Sequence, residues 1–297
     1  MEPFESVHIP VLPQEVLQWL TPQPGQIFVD GTLGGGGHTQ LLLNSLGSDG
    51  MIIGLDRDSQ VISRAAQKFA NQPVHLFQEN FCNLPELLTE LQIDSVDGIL
   101  LDLGISSDQL ADRERGFSFD ADGPLDLRMD SNQGKPAWQL LQRLSEEHLA
   151  NLIYEYGEER RSRRIARKLV ELRRHQQLTT AKDIAAVIRS CVPASRKHRI
   201  DPATRTFQAL RIAVNDELKS LEIALRRLPD CLKPGGKLAI ISFHSLEDRP
   251  VKHAFRNDSR LTVLTKKPIV PGDMESFHNR RSRSAKLRVG QRVEGRQ

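Results

Sequence analysis

The stretch Gln26-Ile-Phe-Val-Asp-Gly-Thr-Leu-Gly-Gly-Gly-Gly-His38 decides the fold of this chain. A short apolar run at Ile27–Val29 ends in Asp30, a four-glycine turn follows at Gly34–Gly37, and a helical pattern begins at His38. Strand, glycine turn and helix form the layout in which a nucleotide-like ligand lies against backbone N–H groups at a helix N-terminus. Glycine is expected there because a Cβ atom would keep the ligand away from the backbone.

A second acidic residue strengthens this interpretation. The run Met51–Asp56 predicts another strand that ends in a carboxylate. It lies at the distance downstream at which an acidic side chain holds the two hydroxyl groups of a ribose. An ordinary α/β turn followed by an acidic strand end is the alternative. The glycine turn and Asp56 together favour a binding site.

The composition is typical of a globular protein, with 38% hydrophobic and 27% charged residues among 297. No apolar run reaches the roughly 18–20 residues of a membrane span, and the first residues lack the basic and apolar regions of a signal peptide. Cys82, Cys191 and Cys231 lie far apart, which indicates neither a disulfide framework nor a cysteine-rich zinc site. We therefore expect a cytoplasmic protein with no membrane segment and no metal.

Charge is distributed unevenly along the chain, although the formal net charge is only +3. Residues 156–200 contain 13 Lys and Arg against 4 Asp and Glu, and residues 276–297 contain 7 against 1. Basic segments attached to a neutral or acidic body are typical of proteins that bind polyanions. A solvated helix face and a disordered tail are the alternative.

The first third of the chain alternates between strand and helix patterns, after a short leading helix at 10–20. The predicted strands are about 26–30, 51–56, 74–77 and 98–102, and the predicted helices between them are about 38–46, 58–70 and 84–91. This alternation predicts a doubly wound α/β sheet.

The alternation stops at residue 106. Residues 106–136 predict a long loop, and residues 137–200 predict helices only, with N-terminal caps at Ser145 and Thr180. We interpret 106–200 as an inserted, mainly helical subdomain. Residues 1–105 and 201–297 would then form the α/β domain.

The α/β pattern resumes at Asp201-Pro202, where a cap followed by proline predicts the start of a long helix. Its apolar stripe runs from Phe207 to Leu225 and indicates core packing. A proline–glycine turn at Lys233–Gly236 leads into a strand at 237–243. Residues 257–283 predict a flexible loop, and residues 284–289 predict a last strand.

Ligands of a doubly wound sheet bind beyond the carboxyl ends of its strands. The strand ends of this chain are Asp30 with the glycines, Asp56, Asn80-Phe81, Asp102, and Ser242-Phe243-His244. Phe81 either packs beside a flat base or is an ordinary core residue. Asp102 ends a buried strand, where a carboxylate is costly without a partner, so a functional role is favoured.

Several stretches resemble class I S-adenosylmethionine-dependent methyltransferases and, more specifically, the MraW/RsmH family of ribosomal RNA small-subunit methyltransferases. They span nearly the whole chain in family order. The matching stretches are Gly31-Thr-Leu-Gly-Gly-Gly-Gly-His38, Leu100-Leu-Asp-Leu-Gly-Ile-Ser-Ser107, Glu114-Arg-Gly-Phe-Ser-Phe119, Gly123-Pro-Leu-Asp-Leu-Arg-Met-Asp130, Tyr156-Gly-Glu-Glu-Arg160, Pro202-Ala-Thr-Arg-Thr-Phe-Gln208, Ile240-Ile-Ser-Phe-His-Ser-Leu-Glu-Asp248 and Arg283-Ser-Ala-Lys-Leu-Arg288.

The resemblance implies a Rossmann-like methyltransferase domain with an inserted helical domain for substrate recognition. It implies N4-methylation of a cytidine in the decoding region of small-subunit (16S) ribosomal RNA, with S-adenosylmethionine as donor. The partner would be that RNA or the 30S subunit, and a homodimer is left open. The family's cofactor contacts fall here on Gly36, Gly37, His38, Asp56, Phe81, Asp102 and Gln109.

One departure from most exocyclic-amine methyltransferases concerns the residues after the fourth strand. Those enzymes carry Asp/Asn-Pro-Pro-aromatic, whereas this chain has Asp102-Leu-Gly-Ile105. Their mechanism therefore cannot be copied intact. Asp102 is the candidate acceptor for the amine hydrogens, or it only binds the donor. His244 is a secondary candidate, with a strand-end histidine bonded to backbone as its alternative.

Three apolar residues of the predicted loop, Phe117, Phe119 and Met129, form a candidate lid or base clamp, or else pack the insert. Arg160–Arg174 and Arg280–Arg288 are candidate phosphate contacts. Two other functions are left open. One is methylation of another base or of DNA, and the other is a cofactor-binding RNA-assembly factor without catalysis.

Overall fold

The computed structural model describes residues 9–175, 178–192 and 201–293. The chain forms two compact units. The first comprises the residues up to Ser107 and from Leu218 onward, and the second comprises Asp108–Glu217. The insert predicted from the sequence covers residues 106–200, whereas the second unit begins at Asp108 and also includes residues 201–217.

The first unit is a seven-stranded sheet with helices on both faces. Its elements are α1 Pro13–Leu20, β1 Ile27–Asp30, α2 Gly37–Leu46, β2 Met51–Asp56, α3 Ser59–Lys68, β3 Val74–Gln78, α4 Leu84–Glu90, β4 Val96–Asp102, β5 Leu232–Ser242, α12 Ser245–Asn257, β6 Leu261–Val263, α13 Asp273–His278 and β7 Lys286–Arg292. Helix α5, Ser107–Ala111, and helix α11, Glu217–Arg227, cross the unit boundaries.

The strand order is β3-β2-β1-β4-β5-β7-β6. Strands β1 to β5 are parallel, and β7 pairs antiparallel with both β5 and β6. The carboxyl ends of β1 to β5 therefore lie at one edge of the sheet. The predicted doubly wound α/β class is confirmed, with an antiparallel addition at one side.

Successive side chains of the central strands point to opposite faces of the sheet, so each face has its own hydrophobic core. Val29, Ile99 and Leu101 join one cluster with residues of α4, α11 and α12. Their neighbours Phe28 and Leu100 join the other, with residues of α1, α2 and α3. Because both faces are covered, the strands are near-continuous apolar runs, as buried parallel strands are.

The second unit is mainly helical. Its helices are α6 Ala137–Arg143, α7 Glu146–Gly157, α8 Ser162–Leu172, α9 Ala181–Cys191 and α10 Thr204–Asn215. Both predicted caps are confirmed: Ser145 Oγ accepts from the His148 amide at 3.2 Å, and Thr180 Oγ1 accepts from the Asp183 amide at 3.1 Å.

Two predictions for residues 201–225 are wrong. The helix begins at Thr204, after Pro202, because Asp201 accepts from the Ala203 amide and pairs with Arg189 across 2.7 Å. It is not one helix either, since Asp216 takes a left-handed conformation (φ 51°) between α10 and α11. The apolar stripe continues across this break, which is why periodicity alone did not reveal it.

Two predicted loops also contain regular structure. Residues 106–136 include α5, and residues 257–283 include β6, α13 and the start of a 3-10 turn at Arg280–Ser284. These elements are short, so they show too few turns for a periodic pattern. In the part of the chain that the structure describes, no helix is both long and apolar enough to cross a membrane.

Two glycines of the second unit allow the cost of a clash with an added Cβ to be measured separately from the cost of a positive φ angle. Gly116 and Gly134 have similar φ angles of +69° and +71°. A Cβ at Gly116 would lie 2.4 Å from the Pro124 carbonyl oxygen, whereas a Cβ at Gly134 would meet nothing within 4 Å. We expect Gly134→Ala to cost about 1 kcal/mol of unfolding free energy and Gly116→Ala about 2–4 kcal/mol.

Chemical denaturation of both alanine variants measures these two costs. Equal destabilisation by the two substitutions would contradict the packing of Gly116 against the backbone of Pro124.

Candidate functional site

Asp56 and the glycine turn lie together at the carboxyl edge of the sheet. Asp56 Oδ2 accepts from the Gly34 amide at 3.0 Å, and Oδ1 accepts from the Asp58 amide at 2.9 Å. Each carboxylate oxygen has a second lone pair left for a further donor. The half-buried side chain is thus held in one orientation and can still accept from two hydroxyl groups.

The glycines of the turn are required for a reason that differs from the expected one. Gly36 has a positive φ of 69°, and a Cβ there would lie 2.8 Å from the ring of Phe69. A Cβ at Gly37 would lie 3.0 Å from Pro10. These two glycines are therefore needed by the packing of the turn against the protein itself.

Helix α2 begins directly after this turn with no side-chain cap at Gly36. Its first backbone N–H groups carry the partial positive charge of a helix N-terminus. His38, in the first turn, is buried, and neither ring nitrogen has a hydrogen-bond partner among the described residues. The beginning of α2 therefore offers uncommitted polar groups at the sheet edge.

A buried network ties α2 to the ends of β1 and β4. Asp30 Oδ2 accepts from Thr39 Oγ1 at 2.7 Å, and Asp30 Oδ1 accepts from the Thr32 amide at 3.2 Å. Thr32 Oγ1 in turn accepts from the Asp102 amide at 2.6 Å. Burial raises the pKa of Asp30, while nearby His38 and the two hydrogen bonds oppose that rise. The network fixes the backbone from which Asp102 projects.

Asp102 presents an uncommitted carboxylate at the end of β4. Its Oδ2 lies 3.7 Å from His38 Nε2, which is longer than a hydrogen bond. Its buried Oδ1 has no hydrogen-bond partner in the described ranges of the chain. A buried polar atom left unpaired is costly unless a ligand completes its contacts, so Asp102 remains a candidate for contact with a bound group.

The other two predicted cofactor residues lie in different settings. Half-buried Phe81 follows β3 in a 3-10 turn, and a Cβ at Gly31 would lie 3.1 Å from its Cβ. Phe81 also packs against the core, so it fits both of its predicted roles. Gln109 is buried in α5 and belongs to the second unit, and its contact with the cofactor stays a prediction.

His244 follows β5 and lies beside an acidic residue that the sequence analysis missed. Its Nε2 is 3.0 Å from Oε1 of the buried Glu247. Glu247 Oε2 accepts from the Phe243 amide at 2.8 Å and from the His244 amide at 3.4 Å. The spacing of a glutamate three residues after a helix N-cap was the signal that could have identified this pair.

Several predicted RNA contacts are committed elsewhere. Arg288 is buried and its Nε lies 2.6 Å from Asp248 Oδ1. Arg173 donates to the carbonyl oxygens of Leu141 and Leu144. These two side chains therefore support the fold and are not free for phosphate. Arg160, Arg163, Arg164 and Arg174 in the second unit and Arg280 and Arg283 in the first are exposed.

Two of the three candidate lid residues, Phe117 and Phe119, pack within the second unit. Phe117 is buried, and Arg115 lies over its ring at 5.8 Å. Phe119 meets the ring of Phe207 edge-on, with centroids 4.9 Å apart. For these two rings, the structure supports packing of the insert over a base clamp.

These residues fit the donor that the sequence resemblance implies, S-adenosylmethionine. Asp56 suits its ribose hydroxyls, the uncapped start of α2 suits its carboxylate, and Asp102 Oδ1 suits its ammonium or the acceptor amine. Within residues 9–175, 178–192 and 201–293, no group of three or more His, Cys, Asp or Glu side chains lies close enough together to hold a metal ion.

The donor affinity should depend on pH through Asp56. Burial raises the pKa of Asp56 to about 6, against the opposing effect of the Asp58 and Gly34 amides. The protonated form dominates below that value and accepts hydroxyl donors poorly. We expect the dissociation constant to be level above about pH 7 and to rise up to about tenfold per pH unit below pH 6.

Titration calorimetry from about pH 5 to about pH 8 measures this dependence. Asp56→Asn should bind the donor weakly at every pH, because it has no carboxylate to protonate. A wild-type affinity that is level across the range would contradict the role of Asp56.

Comparison with known proteins assigns the family. The family model of the MraW methylase family matches residues 5–293. The ribosomal RNA small subunit methyltransferase H of Rhodopirellula baltica is 50% identical over 301 residues, with 98% of this chain and 93% of that protein covered. The protein of the same name from Deinococcus radiodurans is 50% identical over 286 residues, covering 96% and 90%.

A solved rRNA methylase from Streptococcus thermophilus aligns with 95% of this chain and 94% of its own, at 11% identity and a TM-score of 0.44. That likeness is too low to add to the assignment, which the family model and the two relatives carry. The methyl donor is S-adenosylmethionine, as the sequence analysis predicted. The chain belongs to the MraW methylase family.

Proposed function

We propose that this methylase transfers a methyl group from S-adenosylmethionine to N4 of a cytidine in the decoding region of small-subunit ribosomal RNA, in the cytoplasm. The names of the two relatives support ribosomal RNA of the small subunit as the substrate class. The observation that carries an amine as acceptor is Asp102, whose buried Oδ1 has no hydrogen-bond partner among the described residues.

The exocyclic amine of cytosine is a poor nucleophile because its lone pair is delocalised into the ring. The bound sulfonium supplies a methyl group that is already activated. What the protein must add is alignment of the amine and an acceptor for its hydrogens. Alignment alone contributes several kcal/mol, up to about 7–11 kcal/mol in favourable cases.

We infer that Asp102 accepts those hydrogens. Its backbone is fixed by the 2.6 Å hydrogen bond to Thr32 Oγ1, so its carboxylate is held without using either side-chain oxygen. Oδ1 would accept from the amine and, after transfer, take a proton as general base. His38 Nε2 lies 3.7 Å from Oδ2, on the side of the carboxylate away from the proposed amine contact.

The substrate must present an unstacked base. Enzymes that modify a base reach it only after it leaves the stack. Exposed arginines of the second unit, on and beside α8, would hold phosphates of the RNA and give affinity without sequence specificity. Specificity would then depend on the shape of the RNA and on contacts to the extruded base.

Methyl transfer from labelled S-adenosylmethionine to small subunits that lack the modification tests the proposal, with nucleoside mass analysis of the product. We expect labelled N4-methylcytidine. Another methylated nucleoside would support a different acceptor. Donor binding with no labelled nucleoside would support an assembly factor without catalysis.

A further inference from the structure

Helix α13 carries two large apolar side chains on the surface of the first unit. Met274 and Phe277 are three residues apart and so share one face of the helix. Their exposed fractions, 72% and 74%, exceed those of the other exposed large apolar residues in the described chain. We refer to these two side chains as the platform. Such exposure on a folded helix indicates a surface for binding.

The platform is held in place and is not a loose loop. The His278 ring meets the Phe277 ring edge-on, with centroids 5.2 Å apart, and His278 Nδ1 lies 2.8 Å from the Met274 carbonyl oxygen. Glu275 Oε1 accepts from the Leu12 amide at 2.8 Å. These contacts hold α13 against the first unit, and an ordered platform lowers the entropic cost of binding.

The anchoring contacts connect α13 to the candidate site. Leu12 belongs to the same segment as Pro10, which packs against Gly37 of the glycine turn. On the other side, Arg281 Nη1 donates to Ser107 Oγ at 2.8 Å, five residues beyond Asp102 in the chain. The platform thus lies on a segment that is anchored to the residue just before α1 and to Ser107 after β4.

Exposed basic residues are frequent in the sequence on both sides of the platform. Lys266, Lys267, Arg280 and Arg283 are exposed within ten or so residues of it, against one exposed acidic residue, Asp273. Arg283 Nε donates to the Ser276 carbonyl oxygen at 2.9 Å, which brings its guanidinium beside α13. An aromatic ring beside arginines is the composition of surfaces that stack unpaired bases and hold their phosphates.

We propose that the platform stacks against an unpaired base of the RNA substrate. This rests on the proposed function and adds a base contact to it. A second copy of the chain fits this surface poorly, because a two-fold contact would bring two copies of the same basic surface together. An RNA strand neutralises the same charges.

Affinity for small subunits that lack the modification, measured at several salt concentrations, tests the platform. We expect Phe277→Ala to weaken binding about five- to tenfold with an unchanged salt slope, because it removes stacking and no charge. Arg283→Ala should instead lower the slope by about 0.7–0.9. Phe277→Trp should restore the affinity, and Val293→Ala, an exposed apolar side chain elsewhere in the unit, should not change it.

Unchanged affinity of Phe277→Ala would overturn the platform, provided that its donor affinity shows an intact site. Sedimentation tests whether a second copy of the chain occupies the platform instead. If the wild type is a dimer and Phe277→Ala is a monomer with the same RNA affinity, the platform is a dimer interface and the proposal is overturned. If the wild type transfers no labelled methyl group to the subunits, the proposed function itself fails. That failure is distinguishable from failure of the platform proposal, because it is seen with the wild type before any variant is compared.

Discussion

Asp102→Asn is expected to lower kcat by about 10²–10⁴-fold, the usual contribution of a positioned general base. The substitution keeps the shape of the side chain and the backbone hydrogen bond to Thr32, but its amide cannot take the proton of the amine. The fold should persist, because no side-chain hydrogen bond of Asp102 to the described residues is lost. Single-turnover transfer at saturating donor and RNA measures the effect.

The alternative role of Asp102 makes a different prediction. If Asp102 only binds the donor, Asp102→Asn should raise the donor dissociation constant and leave the rate at saturating donor unchanged. Donor titration of the same variant separates the two roles. A full rate at saturation would remove Asp102 from the chemistry and leave the acceptor unassigned.

Charge reversal of Arg163 and Arg164 to Glu is expected to weaken binding to small subunits about 10²-fold near physiological salt. Both side chains are exposed on α8, whose opposite face buries Ile165 and Leu169, so reversal should leave the helix packed. Loss of two phosphate contacts should also reduce the salt slope by about 1.4–1.8. Filter binding over a salt series measures both quantities.

A matched variant controls for net charge. Arg226→Glu with Arg256→Glu changes the charge by the same amount, and both of these arginines are exposed on helices of the first unit. We expect it to alter binding far less. Equal losses from the two double variants would mean that general charge, and not the face of α8, governs RNA binding.

The strands of the first unit could be predicted from the sequence because burial on both faces leaves apolar runs of recognisable length. Ile27–Val29 and Gly98–Leu101 are each followed by an acidic residue, and the observed bounds of these two strands lie within two residues of the predicted bounds. The break at Asp216 could not be predicted, since it depends on one left-handed residue inside an uninterrupted stripe. Helix α13 escaped because its six residues bury no side chain.

The site shows a similar division. Strand ends identified Asp30, Asp56 and Asp102, because parallel strands bring their carboxyl ends to one edge whatever the helices do. Partners at distant positions could not be read from the chain. The link from Thr32 to Asp102 spans 70 residues, and only the register of β1 against β4 creates it.

The reason for glycine at position 36 could not be predicted either. The ring of Phe69, which leaves no room for a Cβ at Gly36, lies 33 residues away in the sequence, after α3. Sequence patterns therefore located the polar groups of the site but not what supports them.

The insertion of the second unit between two neighbouring strands has a consequence during protein synthesis. β4 pairs with β5, but about 130 residues separate Asp102 from Leu232. At about 5–20 residues per second, the ribosome needs roughly 6–26 s to add them. Through that interval the apolar edge of β4 has no strand to pair with, and such edges recruit other chains. Early folding of the contiguous second unit does not shorten the wait, so completion of the sheet is timed by translation.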